Sequence, residues 1–241
     1  MLVKLENPIL LSKPIDLISE LVTEVKIKIN DFGMSITALD PANVAMIGFK
    51  IPKTAFSQFE TGTETLGVNL DSLKKILKRC NNGSSLVIEK KENVLEFSIS
   101  DRIKRNFTLG LIDVEGHDKE LPNLEFSGKV EIRSQDFVDS IEDCAIVADA
   151  CSFTIKDGKF IIESKGLNSS KAEFSSDDTK IEGENCRSRY SLEYLQKFSK
   201  GCKFSEKTFL NFAEDHPLRM DIKTEHMSLS FILAPRVETD D

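Results

Sequence analysis

Residues 66–80 read LGVNLDSLKKILKRC and place Lys74, Lys75, Lys78 and Arg79 in one short segment of a chain whose formal net charge is −8. On a helical wheel Leu73, Ile76, Leu77 and Cys80 fall at i, i+3, i+4 and i+7, with the four cations on the opposite arc. The pattern predicts a helix over 71–80 that docks its apolar stripe and displays its charge. Asp71 or Ser72 is expected to cap its start, and Asn81-Asn82-Gly83 to stop it. A displayed cationic face in an acidic chain points to a polyanion, although one isolated solvated lysine face reads the same way.

Around that segment, 241 residues with 40% apolar content suffice for one large domain or two smaller ones with their own cores. No apolar run approaches the roughly 20 residues of a membrane span, and the amino terminus lacks a signal-peptide pattern, so a soluble intracellular protein is expected. Five cysteines, odd in number and without a CxxC pair, argue against a disulfide framework or a zinc ribbon. His117, His216 and His226 each lack a second ligand at i+2, i+3 or i+4, which argues against a metal site. The phosphate-loop, dinucleotide, nucleophile-elbow and zinc-protease motifs are missing, and the residues name no cofactor. The acidic pairs Glu142-Asp143 and Asp177-Asp178 could serve an enzyme as carboxylate dyads, but in so acidic a chain they read first as solvated surface.

Period-2 alternation runs through 25–29, 86–89, 94–99, 209–212 and 220–222, which marks half-buried antiparallel strands. Helical periodicity covers about 11–22, 71–80, 134–148 and 190–200, giving an α+β chain. The order repeats: the hairpin turn at Asp31-Phe32-Gly33 has a counterpart at Asp157-Gly158, and Phe49 precedes Phe174 by the interval that separates the two glycines. We therefore expect two similar domains of antiparallel sheets with short helices on one face, over 1–112 and 128–241. The polar stretch 113–127, DVEGHDKELPNLEFS, reads as a connector whose Leu121, Leu124 and Phe126 could line a docking surface.

The helices differ in charge. Leu11, Ile15, Ile18 and Val22 make the stripe of the first, with Lys13, Asp16, Glu20 and Glu24 opposite. The third buries Phe137, Ile141, Cys144, Ala145 and Ala148 and leaves Asp136, Asp139, Glu142 and Asp143 outside. The fourth turns Leu192, Leu195 and Phe198 or Ser199 inward, ringed by Glu193, Gln196, Lys197 and Lys200. Only the second is uniformly basic.

ALDPANVAMI at 38–47, LGVNLDSLKKILKRC at 66–80, DHPLRMDI at 215–222 and ILAPRVE at 232–238 resemble, in order, signature segments of the sliding clamp family of proliferating cell nuclear antigen, in an archaeal-like form. The resemblance implies a closed ring of three subunits around duplex DNA, with no enzymatic activity, acting as a DNA polymerase processivity factor in replication and repair. It also implies recruitment of polymerase, clamp loader, flap nuclease and DNA ligase through short peptides. Carried over by position, DNA-facing cations are Lys13, Lys75, Lys78 and Lys200, with Lys74 and Arg79 beside them. Ser19, Glu142 and Glu193 stand where many members carry a cation, so either the ring tolerates an uneven lining or basic sister subunits compensate. A homotrimer is the expectation, an obligate heterotrimer or checkpoint-type subunit the alternative, and a small acidic enzyme the distant one. The peptide site maps to Leu39, Asn43, Val44, Met46, Leu121, Pro122, Pro217, Ala234 and Pro235. The trimer edges map to Lys104–Leu111, with Phe107 and Leu109, and to Lys171–Ser176, with Phe174.

Overall fold

Val25, Ile27 and Ile29 are buried while Lys26 and Lys28 stay half-exposed, and the same alternation recurs along most strands, so each sheet sets one apolar face against a core. A computed structural model describes residues 1–116 and 118–236. His117 and residues 237–241, with the end of the 232–238 segment, lie outside the described residues.

Two compact units result, one of 1–41, 47–120 and 225–228, the other of 42–46, 121–224 and the chain from 229. The stretch read as a connector is divided between them: 113–120 belongs to the first unit and 121–127 to the second. The first unit holds strands β1 (Leu2–Leu5), β2 (Glu24–Asn30), β3 (Gly33–Leu39), β4 (Ala45–Pro52, except its first two residues), β5 (Gln58–Glu60), β6 (Glu64–Asn69), β7 (Ser85–Lys91), β8 (Val94–Ser100) and β9 (Lys104–Gly110), with helices α1 (Ile9–Ile18) and α2 (Leu70–Leu77). The second holds β10 (Gly128–Arg133), β11 (Ala150–Lys156), β12 (Lys159–Lys165), β13 (Ser169–Phe174), β14 (Lys180–Gly183), β15 (Cys186–Ser191), β16 (Lys207–Phe212), β17 (Leu218–Lys223) and β18 (Ser228–Leu233), with α3 (Ser134–Ala145) and α4 (Leu192–Ser199).

The duplication is visible strand by strand. Strand order β5-β1-β7-β8-β9 in the first unit returns as β14-β10-β16-β17-β18 in the second, and β4-β3-β2-β6 returns as β13-β12-β11-β15. Both hairpins read from sequence are present. Asn30 pairs with Gly33 across the first turn, where the Asn30 Oδ1 accepts the Phe32 amide at 2.9 Å. Lys156 pairs with Lys159 across the second, whose Asp157 and Gly158 take φ of 50° and 73°, the left-handed pair that suits a tight hairpin.

Helix ends depart from the periodicity. The first helix stops at Ile18, and residues to Val22 continue in a tighter turn, with the Glu20 amide on the Leu17 carbonyl and the Leu21 amide on Ile18. The cap of α2 is neither Asp71 nor Ser72 but Asn69, whose Oδ1 accepts the Ser72 amide at 3.0 Å. Asp71 instead sits in the first turn, where its charge favours the helix dipole. This helix closes at Leu77, and Gly83 (φ 85°) serves the turn into β7. Ala145 ends α3, with the Val147 and Ala148 amides both bonded to the Cys144 carbonyl. Tyr190 and Ser191 belong to β15 and precede α4, the fully buried Tyr190 donating its hydroxyl to the His216 carbonyl at 2.7 Å, and Lys200 opens a 3-10 turn.

Each unit has its own core. In the second, the Phe153 ring meets Phe137, Phe160, Tyr190 and Phe212 edge-on at 5.3–6.1 Å. Such pairs add about 0.5–1.5 kcal/mol each beyond area burial. All five cysteines are free and buried, serving as small core residues.

Candidate nucleic-acid interface and partner surface

The amphipathic reading of α2 holds in detail. Leu73, Ile76, Leu77 and Cys80 are buried, and Lys75, Lys78 and Arg79 are exposed, the last two in the turn that closes the helix. Lys13 is exposed on α1. Among the described residues, Lys13, Lys75 and Arg79 have no carboxylate within ion-pair distance.

Lys74 departs from the expected displayed cation. Its ammonium lies 2.8 Å from Asp16 Oδ1 and donates to Ser19 Oγ at 3.0 Å, and the Ser19 hydroxyl in turn donates to the Asp16 carbonyl at 2.7 Å. Lys78 also faces Asp16, at 3.8 Å. Partial burial pushes the Asp16 carboxyl up, but the Lys74 hydrogen bond and the charges of Lys74, Lys78 and Lys13 outweigh it and hold the group below its ordinary value. Ser19, one of the uneven positions, is thus filled by a cation reaching over from α2.

The helices of the second unit present less positive charge than α1 and the α2 segment. Lys200 is exposed at the end of α4. Glu193 is paired with Lys197 at 2.8 Å one turn on, so its charge is answered locally. On α3, Arg133 forks onto Asp136, while Glu142 is exposed with no basic partner among the described residues. Asp177 and Asp178 lie exposed in a turn where Ser175 donates to Asp178 at 2.9 Å. No grouping of three or more His, Cys, Asp or Glu suited to a metal ion occurs among the described residues.

Most residues expected at the peptide site belong to the second unit. Residues 42–46 join it through the Ala234 amide on the Val44 carbonyl at 2.9 Å. Val44, Met46, Leu121, Pro217, Ala234 and Pro235 are half-buried, whereas Pro122 and Asn43 are exposed, Asn43 in a left-handed conformation at φ 57°. Leu39 sits apart in the first unit, half-buried at the end of β3. Pro217 follows a turn fixed from three sides: the Asp215 amide on the Arg187 carbonyl, the His216 carbonyl taking both Tyr190 and Ser188 hydroxyls, and Phe126 edge-on to the His216 ring at 5.8 Å. His216 carries no spacing signal in the sequence, so its place in this turn shows only in the folded chain.

The chain enters the connector alongside β6. Ile112 donates to the Gly67 carbonyl at 3.0 Å, and its own carbonyl comes so close that a Cβ at Gly67 would sit 2.1 Å away, which requires glycine there. Lys26 and Lys28 then hold Asp118, an ionic strap that strand alternation alone did not reveal.

Both strands expected to meet a neighbouring subunit are sheet edges, β9 beside β8 and β13 beside β12. Phe107 and Phe174 are half-buried, the latter stacked on Phe160 at 6.0 Å. Leu109, at 8% exposure, sits opposite Leu95 on the face turned to the core of its own unit.

Residues 1–120 match the family model described as the N-terminal domain of proliferating cell nuclear antigen. The DNA polymerase sliding clamp of Thermococcus gammatolerans is 36% identical over 230 residues, 91% of this chain and 92% of that one. The protein of the same name from Pyrococcus horikoshii is 34% identical over 233 residues, 93% of each. Among solved structures, the proliferating cellular nuclear antigen of Entamoeba histolytica shares the fold with a TM-score of 0.90 at 23% identity, over 98% of each chain. A PCNA2–PCNA3 complex from Sulfolobus tokodaii reaches 0.88 at 27% identity, over 99% of this chain and 100% of that one. Family model, full-length archaeal relatives and shared fold agree, and this chain belongs to the DNA polymerase sliding clamp family, that of proliferating cell nuclear antigen.

Proposed function

We propose that three copies of this chain close head to tail into a ring around duplex DNA, hold a DNA polymerase on its template, and recruit clamp loader, flap nuclease and DNA ligase without catalysing a reaction. The observation that carries this reading is charge segregation: Lys13, Lys75, Lys78 and Arg79 stand on the outer side of α1 and of the α2 segment in a chain of net charge −8. Contacts from such cations go to phosphate, are independent of base sequence and weaken with salt, which permits sliding while a closed ring prevents escape. Free edges at β9 and β13 suit a heterologous contact that closes after a fixed number of copies. Val44, Met46, Leu121 and Pro217, half-buried apolar residues of one unit, suit a docking site for a one-turn helical peptide with aliphatic and aromatic anchors.

Sedimentation of the purified chain tests the ring, with a trimer expected at micromolar concentration. A strict monomer there sinks the homotrimer. Glu142 on α3, exposed with no basic partner among the described residues, favours a second reading, an obligate subunit beside more basic sister chains, and a monomer that trimerises only on addition of such chains supports it. Stimulation of polymerase on a primed circle tests the function, and no stimulation by the assembled ring refutes it.

A further inference from the structure

The cations of α1 and α2 are not equivalent, and one carboxylate sorts them. Asp16 faces Lys74 at 2.8 Å and Lys78 at 3.8 Å, with side-chain exposures of 25% and 63% for the two lysines. Lys74 is also fixed by Ser19, so it is held on α1 by a charge and a hydroxyl together. Lys78 has only the long ion pair and a largely solvated head, so a phosphate oxygen can displace Asp16 from it. Lys13, Lys75 and Arg79 have no carboxylate within ion-pair distance among the described residues, although the Lys13 charge also acts on Asp16.

We infer that Asp16 is a built-in competitor of the DNA backbone, limiting how tightly this subunit grips phosphate. It keeps Lys74 off the backbone as its own screen and makes Lys78 exchange one anion for another. This rests on the proposed DNA contact. Every cation that answers a protein carboxylate releases no DNA counterion, so Asp16 lowers both affinity and its dependence on salt. The device fits a ring that must stay mobile: topology retains it, and excess grip only slows it. Lys74 also has a distinct role. Its removal uncovers the Asp16 charge within the cationic face, so losing one cation that does not itself reach DNA still weakens binding.

The test is fluorescence anisotropy of a short labelled duplex across a salt series with the full chain and three variants, Asp16→Asn, Lys74→Ala and the double variant. Asp16→Asn is expected to bind tighter and more steeply with salt, by about three- to fourfold per added phosphate contact over a fourfold rise in salt. Lys74→Ala is expected to bind several-fold weaker, and the double variant to return to wild-type affinity or better. A folded Asp16→Asn protein that binds no tighter than wild type overturns the inference. So does a Lys74→Ala protein of unchanged affinity, which decides alone where Asp16→Asn fails to fold. A wild-type chain whose binding is indifferent to salt removes the DNA contact itself, a failure separable from the others.

Discussion

The Lys28 ammonium lies 2.9 Å from the Asp118 carboxylate, with Lys26 3.5 Å from the same acid and donating to the Gly116 carbonyl at 2.6 Å. The first half of the connector is thus strapped to β2 by charge. The Lys28 hydrogen bond is the largest cause holding the Asp118 carboxyl below its ordinary value, over a weaker upward push from desolvation. A depressed folded-state value means the strap is fully present above the ordinary carboxylate range and is lost as pH falls through the folded value. Asp118→Asn is expected to speed proteolytic cleavage within 113–120 several-fold at neutral pH, with an unchanged melting temperature. Equal cleavage rates for the two proteins would count against the strap.

Lys75 and Lys78 are exposed on the basic segment, so their conversion to Glu should leave the fold intact. Loss of two phosphate contacts is expected to lower the salt slope of DNA binding by about two and to reduce polymerase stimulation at moderate salt. Stimulation that stays at the wild-type level throughout a salt series would place the DNA contact elsewhere.

Met46 and Leu121, like Val44 and Pro217, are half-buried residues of the second unit. A carboxylate at either position meets desolvation without a partner when a peptide covers it. Met46→Glu or Leu121→Glu is expected to weaken capture of a short anchor-bearing peptide more than tenfold by calorimetry while sedimentation still reports the wild-type assembly. Retained peptide affinity refutes the assigned surface.

Phe153 has no exposed surface and holds Phe137, Phe160, Tyr190 and Phe212 around one ring. Truncation to Ala is expected to destabilise the protein by about 3–5 kcal/mol in urea unfolding, since the neighbouring rings cannot collapse into the space. A cost below about 1 kcal/mol would mean the second unit repacks freely.

Much of the fold was legible because it rests on periodicity. Val25, Ile27 and Ile29 announce their strand, Leu73, Ile76 and Leu77 announce their helix face, and the paired positions of Gly33 with Gly158 and of Phe49 with Phe174 announce a duplication whose strand orders match. Helix limits were less legible. Asn69 caps α2 through one side-chain oxygen, and a burial pattern carries no record of which of several polar residues makes that bond.

The sequence by itself determined the α+β repeat, the segregation of positive charge and the family likeness, since each is written in residue order and local spacing. Only the tertiary structure decided which cations remain available. Lys74 and Lys75 are neighbours with the same side chain, yet one is bound to Asp16 and Ser19 on another helix and the other is exposed without a partner carboxylate among the described residues. The strap from Lys28 to Asp118, the joining of 42–46 to the second unit and the inward turn of Leu109 have the same origin. Each depends on groups far apart along the chain, and charge and hydrogen-bonding energies are set by distances of a few ångströms that folding alone creates.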